Sequence, residues 1–323
     1  MLIDRRSLII GAAAAGVAPH LAWAQSFPTK PIRLIVPFAA GGAADIIGRV
    51  VANGLSTTVG QQVVVENKPG AGSNLGVDTM VKAPADGYTF ALASIAVAVN
   101  QFLYKSMPFD PLKDMAPLTL ALETPNIVIV PKDSPIKSIA DLIAAAKTKQ
   151  GGLTYASAGI GSSLHLAAEL FQQKAGVRLE HVPYKGSNPA LTDLMANRID
   201  VMFDNLSTAL PQVQGGNARA IAVTTAKRVV SLPDVPTVAE AGVPGYEVAN
   251  WWAFFAPMQT PAPVLAYLSE HIRDVVRGDD ARKRFADIGG TVVASSPEEL
   301  AKHLAIEIEK WRDTIKAAGI SPA

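Results

Sequence analysis

From Ile32 onward, short apolar runs alternate with stretches in which apolar residues recur three and four positions apart. Ile32–Phe38 shows little alternation, the pattern of a strand buried on both faces. Ala43–Val59 puts Ile46, Ile47, Val50, Val51 and Leu55 on one stripe and predicts a helix. Further strands are predicted at Val63–Glu66, Tyr88–Ser94, Ile127–Val130, Leu153–Ala156, Leu179–Pro183, Ile199–Phe203 and Ala218–Thr224. Helical patterns lie between them, including Asn74–Lys82 and Leu164–Gly176. Trp251–Ala256 reads as one more apolar strand, and the chain beyond it is helical. Thr260-Pro261 has the form of an N-cap followed by N1, and Ser296-Pro297-Glu298-Glu299 that of a capping box. Strands alternating with helices predict the α/β class with mostly parallel sheets.

The first 24 residues break this pattern. Arg5-Arg6, the apolar run Leu8–Ala18 and Ala22-Trp23-Ala24 are in the order of a charged region, an apolar region and a cleavage site, which predicts an export signal cut after Ala24. The arginine pair leaves the general and twin-arginine export routes both open. Without this segment the chain keeps 27 basic and 27 acidic residues, so bulk charge suggests no nucleic-acid partner. With 323 residues, 49% of them hydrophobic and 18% charged, the chain is long and apolar enough to bury a large core, which excludes intrinsic disorder. Cysteine is absent, which excludes disulfides, thiolate metal sites and a cysteine nucleophile.

Two segments combine a buried strand, a glycine-bearing loop and a helix start. They are Phe38-Ala39-Ala40-Gly41-Gly42-Ala43-Ala44-Asp45 and Ser157-Ala158-Gly159-Ile160-Gly161-Ser162-Ser163. A helix N-terminus presents unpaired N–H groups and a partial positive charge, so it binds an anion without lysine or arginine. Small residues leave room for a ligand, and Ser157, Ser162 and Ser163 add hydroxyl donors. Ordinary tight turns with serine caps account for the same residues, and both readings are open. Asp45 stabilises its helix dipole whether or not a ligand binds. Asp204, at the end of a strand, either accepts from a ligand or caps the next turn. Asn67–Gly76 is glycine-rich, but its spacing fits neither a phosphate loop nor a dinucleotide fingerprint.

No nucleophile elbow and no metalloprotease helix occurs. His165 lies near Ser162 in sequence, so a secreted hydrolase using Ser162 or Ser157 is the rival from another class. One helix carrying both residues lacks the geometry of a serine–histidine pair. No metal or organic cofactor is implied.

Pro31-Ile32-Arg33-Leu34-Ile35-Val36-Pro37-Phe38 followed by Gly41-Gly42 and Asp45 resembles the Bug solute-binding receptors of tripartite tricarboxylate transporters. The likeness continues through Val65–Gly72, Ala85–Thr89, Tyr155–Ser162, Val182–Gly186, Asp200–Asp204 and Leu232–Thr237. The resemblance implies a periplasmic, two-lobed Venus-flytrap protein of type II-like form with a two-strand hinge. Lobe 1 is expected at 26–125 plus 247–323 and lobe 2 at 126–246, with crossings near Ile127–Val130 and Trp251–Ala256. It also implies a ligand site of Phe38, Ala39, Ala40, Gly41, Ala43, Asp45, Ser94, Ser157, Gly159, Gly161, Ser162, Ser163, Lys185 and Asp204. Ile95–Asn100 is more apolar than in many relatives, which leaves Asn100 open as a ligand contact. The expected partners are a small carboxylate and membrane permease subunits, with the receptor a monomer. Di-, tri- and aromatic carboxylates rank above amino acids, and a sensory role is the alternative to transport.

Overall fold

The computed structural model describes residues 27–149, 152–184 and 186–319, so the expected export signal and Lys185 lie outside the described residues. Strand and helix alternate as expected: β1 (Ile32–Val36), α1 (Ala43–Val59), β2 (Val63–Asn67), α2 (Asn74–Val81), β3 (Thr89–Ser94) and α3 (Ala96–Leu103). The long strand β4 (Met115–Pro131) follows, then α4 (Ile139–Thr148), β5 (Leu153–Ser157), α5 (Ser163–Ala175), β6 (Leu179–Pro183) and α6 (Ser187–Met195). Next come β7 (Val201–Asn205), α7 (Leu206–Gln214), β8 (Ala218–Val223) and β9 (Ala249–Pro257). The chain finishes with α8 (Ala262–Arg277), α9 (Asp279–Asp287), β10 (Thr291–Val292) and α10 (Pro297–Ala318).

Each lobe is built on its own sheet, and β4 belongs to both. In the first sheet, β1 lies parallel between β2 and β3, and β9 runs antiparallel between β3 and β4. In the second, β6, β5 and β7 are parallel to one another, and β4 lies antiparallel between β7 and β8. β4 changes partners between Pro125, opposite Ala249, and Asn126, opposite Asn205. The return crossing is at Val248, whose N–H bonds Thr224 O at 2.9 Å just before β9 enters the first sheet. Both changes of partner fall outside the expected crossing segments, since Ile127–Val130 lies within the second sheet and Trp251–Ala256 within the first. Thr224 ties the crossings together: its hydroxyl accepts from Asn126 N at 3.1 Å and donates to Val248 O at 2.6 Å.

The first half of β4 is absent from the sequence prediction for a physical reason. Pro117, Thr119, Glu123 and Pro125 break an apolar run, and proline is disfavoured inside a sheet. Register shifts beside Pro117 and between Leu120 and Leu122 absorb the mismatch. At α8 the helix starts one residue later than expected, with Pro261 as its N-cap and Thr260 making no cap. At α10 the capping box forms, Ser296 and Glu299 bonding each other's backbone N–H. α10 packs against both α3 and α5, so one apolar core, containing Leu103, Tyr155, Phe171, Trp251 and Trp311, is continuous across the crossings.

Candidate functional site

β1 delivers the chain to the loop Pro37–Gly42, and α1 starts at Ala43 with no side-chain cap on Gly42. β3 likewise feeds α3 through Ser94 and Ile95, and β7 feeds α7 through Asn205, again with no side-chain cap. β5 feeds α5 through the loop 158–162, where Ser162 caps by accepting from His165 N at 3.3 Å. These four helix N-termini surround one cavity of about 370 Å³. Its floor is Thr124, Asn250 and Trp252, from the two crossing strands. Trp252 donates to Thr124 at 3.1 Å and packs edge-on against Phe38 with centroids 5.6 Å apart, joining the floor to the first loop.

No aspartate, glutamate, lysine, arginine or histidine is among the described residues lining the cavity. The polarity available to a ligand is that of helix ends, hydroxyls and amides, an arrangement selective for anions. Phe38, Ile95, Ile160 and Trp252 supply apolar wall between these polar ends.

Of the residues expected at the site, Phe38, Ala43, Ser94, Gly161, Ser162 and Ser163 line the cavity. Ala39, Ala40 and Gly41 are exposed on the loop outside it. Asp45 is buried in its own lobe. Its carboxylate accepts from Gly41 N, Arg49 and Asn67, each at 3.0 Å, and Asn67 also donates to Phe38 O. Burial works against the charge of Asp45, but these donors outweigh it and hold the carboxyl below the usual range. Asp45 therefore shapes the loop. Ser157 is fully buried, with its hydroxyl 2.7 Å from His181 Nε2, and Gly159 bonds back to Ser157. Neither residue lines the cavity. The Ser162 hydroxyl donates to Gly159 O at 2.7 Å and makes no pair with the His165 ring, whose Nδ1 accepts from Gly161 N.

Asp204 also faces away from the cavity. It is fully buried between α6 and α7 and accepts from Ser187, Thr208 and Asn205 N. The neighbouring Asn205 faces the cavity instead, because successive strand residues point to opposite sides. Burial pushes the Asp204 carboxyl up to about 6 despite its three donors. The unfolded chain titrates it near 3.8, so the stability it contributes is complete below that value and is lost as pH rises through about 6. Between about pH 4 and 7 the unfolding free energy of the parent is expected to fall by roughly 2–3 kcal/mol relative to that of Asp204→Asn. Urea denaturation of both proteins across that range checks it, and a difference between them that does not change with pH refutes this placement of the charge.

Sequence reasoning missed Asn205, Ser207, Asn250, Trp252 and Thr124, all of which line the cavity. The signal was present in part: Asn250 and Trp252 share strand parity, whereas Trp251 faces the other way. Asn100 lines the cavity with both amide hydrogens engaged, to Gly72 O at 2.7 Å and Asn74 Oδ1 at 2.8 Å. It joins α3 to the turn before α2.

A family model described as tripartite tricarboxylate transporter family receptor matches residues 47–320. The chain is 34% identical over 323 residues to Protein BugT of Bordetella pertussis, covering 99% of each. Among solved structures it is similar to R. palustris Rpa4515 with adipate, with a TM-score of 0.83 and 38% identity, over 92% of this chain and 100% of that one. It is also similar to MatC (Rpa3494) from Rhodopseudomonas palustris with bound malate, with a TM-score of 0.79 and 31% identity, over 90% and 100%.

Proposed function

The chain belongs to the tripartite tricarboxylate transporter receptor family, as a Bug-type receptor, and from that premise we propose that it captures a small carboxylate in the periplasm. The lobes 26–125 plus 247–323 and 126–246 close on the ligand about the β4 and β9 crossings. The monomeric closed form hands its cargo to the membrane permease subunits of a tripartite tricarboxylate-type transporter, after export with cleavage behind Ala24. The observation that carries this reading is the convergence of four helix N-termini on a cavity whose described lining holds no charged side chain. Carboxylates at the two ends of a ligand meet N–H groups and hydroxyls from opposite lobes, while the apolar wall covers the carbon chain. Acyclic dicarboxylates, di- or tricarboxylates of similar size and aromatic carboxylates fit this division. The adipate and malate bound to the two solved relatives support the first of these classes.

The test is a thermal-shift screen of the chain from Gln25 onward against aliphatic, hydroxylated and aromatic mono-, di- and tricarboxylates. A ligand at about a hundred times its Kd stabilises the native state by about 2.7 kcal/mol. Trp252 in the cavity floor gives a second readout, a change in intrinsic fluorescence that disappears in Trp252→Phe. A panel with no shift, on protein unfolded, stripped of small molecules and refolded, would remove the carboxylate reading.

A further inference from the structure

Three rings stack beneath the loop 158–162. Tyr155 of β5 lies 4.7 Å from His181 of β6, and His181 lies 4.4 Å from His165 of α5, centroid to centroid. Each histidine turns one ring nitrogen to the loop or its root. His165 Nδ1 accepts the Gly161 N–H at 3.3 Å, and His181 Nε2 lies 2.7 Å from Ser157 Oγ. Ser157 Oγ in turn accepts the Gly159 N–H at 3.1 Å. The Glu169 carboxylate, which accepts from the Tyr155 hydroxyl and from Gln172, lies 3.9 Å from His165 Nε2. A proton on Nε2 leaves Nδ1 free to accept.

Counting the N–H groups of the loop shows what the stack does. Gly159 N is taken by Ser157, Gly161 N by His165, Ser162 N by Gly159 O and His165 N by Ser162. Among the described residues, the N–H groups of Ala158, Ile160, Ser163 and Leu164 have no protein partner, and all four residues line the cavity. We propose that His165 and His181 are positioning residues for the ligand. The His165 Nδ1 bond to Gly161 N–H and the His181 Nε2 bond to Ser157 Oγ draw these residues back against the lobe, so that the ligand meets the free N–H groups of the loop and the first turn of α5 rather than a collapsed loop. Neither ring touches the ligand. Burial, with His181 beside it, brings the His165 pKa down to about 3, and burial brings that of His181 to about 4. At neutral pH both rings are therefore neutral.

The proposal rests on the carboxylate reading of the site, and an isostere exchange separates the two. An asparagine oxygen occupies nearly the place of Nδ1, and a glutamine oxygen nearly that of Nε2. His165→Asn and His181→Gln are expected to keep the Kd for the carboxylate found by the screen within about threefold of the parent, whereas His165→Gln and His181→Asn weaken it about tenfold or more. Both members of each pair lose the ring, so equal affinities within a pair, or affinities that simply follow thermal stability, overturn the proposal. Hydrogen exchange of the Gly161 amide, read by NMR without ligand, is an independent arm. Protection in the parent and His165→Asn but not in His165→Gln is expected. An unprotected Gly161 amide in the parent sinks the positioning role whatever the protein binds, while protection without binding by any carboxylate sinks the carboxylate reading alone.

Discussion

Gly161→Val is expected to weaken carboxylate binding about a hundredfold or more while leaving a folded protein. Gly161 has φ +81°, where a β-branched residue is a steric outlier. A Cβ at this position would fall 2.6 Å from Leu103 Cδ1, on the α3 helix that faces it across the cleft. Leu103 is buried in the core shared by both lobes and has little freedom to turn aside. The added methyl groups therefore wedge the loop 158–162 away from α3 and keep the cleft from closing on a ligand. Calorimetric titration of the parent and of Gly161→Ala, Gly161→Val and Gly161→Ala/Leu103→Ala measures the effect. Gly161→Ala should be intermediate, and shortening Leu103 should restore part of its loss, since residues in contact couple. Parent-like affinity in Gly161→Val means that the cavity between the loops is not where the ligand sits.

The largest loss of stability is expected from Trp251→Ala. This indole is 1% exposed and donates to Glu307 at 3.1 Å, and His303 packs edge-on against it at 5.3 Å. Glu307 is itself buried, accepts from Trp311 at 2.8 Å and pairs with Lys310 at 3.1 Å. Removing Trp251 opens a cavity at the root of β9 and takes one donor from a buried carboxylate. The expected cost is roughly 3–5 kcal/mol in unfolding free energy, read from urea denaturation. Trp252→Ala is the control. Its side chain lies on the other face of β9, in the cavity floor, so it should cost ligand affinity more than Trp251→Ala does at temperatures where both variants are folded. Similar binding losses from the two variants would contradict this assignment of faces.

Much of the fold was legible in the chain itself. The bounds of α1 and β6 match their apolar patterns, and the start of α5 differs from its pattern by one residue. Periodicity reports local burial, and α1 is buried in the ordinary way, on one stripe. The first half of β4 was not legible, because its prolines and threonines obey the partner strands and bulges instead of a local pattern. Phe38, Ala43, Ser94, Gly161, Ser162 and Ser163, expected at the site, line the cavity, and each lies where a strand ends and a helix begins. Asp45 and Asp204 were expected at the ligand from the family resemblance, and the structure turns both inward to hold the loop and the start of α7.

By itself, then, the sequence determined the α/β class, the glycine- and serine-bearing loops before α1 and α5, and the absence of cysteine chemistry. These follow from composition and from contacts between residues a few positions apart. Only the tertiary structure decided that Asn205 and not Asp204 faces the cavity, and that Trp252 and not Trp251 forms its floor. It also decided that His181 reaches Ser157 and that Leu103 meets Gly161. A strand's alternation divides its residues into two faces but does not say which face meets the other lobe. That choice is made when β4 and β9 cross between the sheets, and it depends on contacts between segments far apart in the chain.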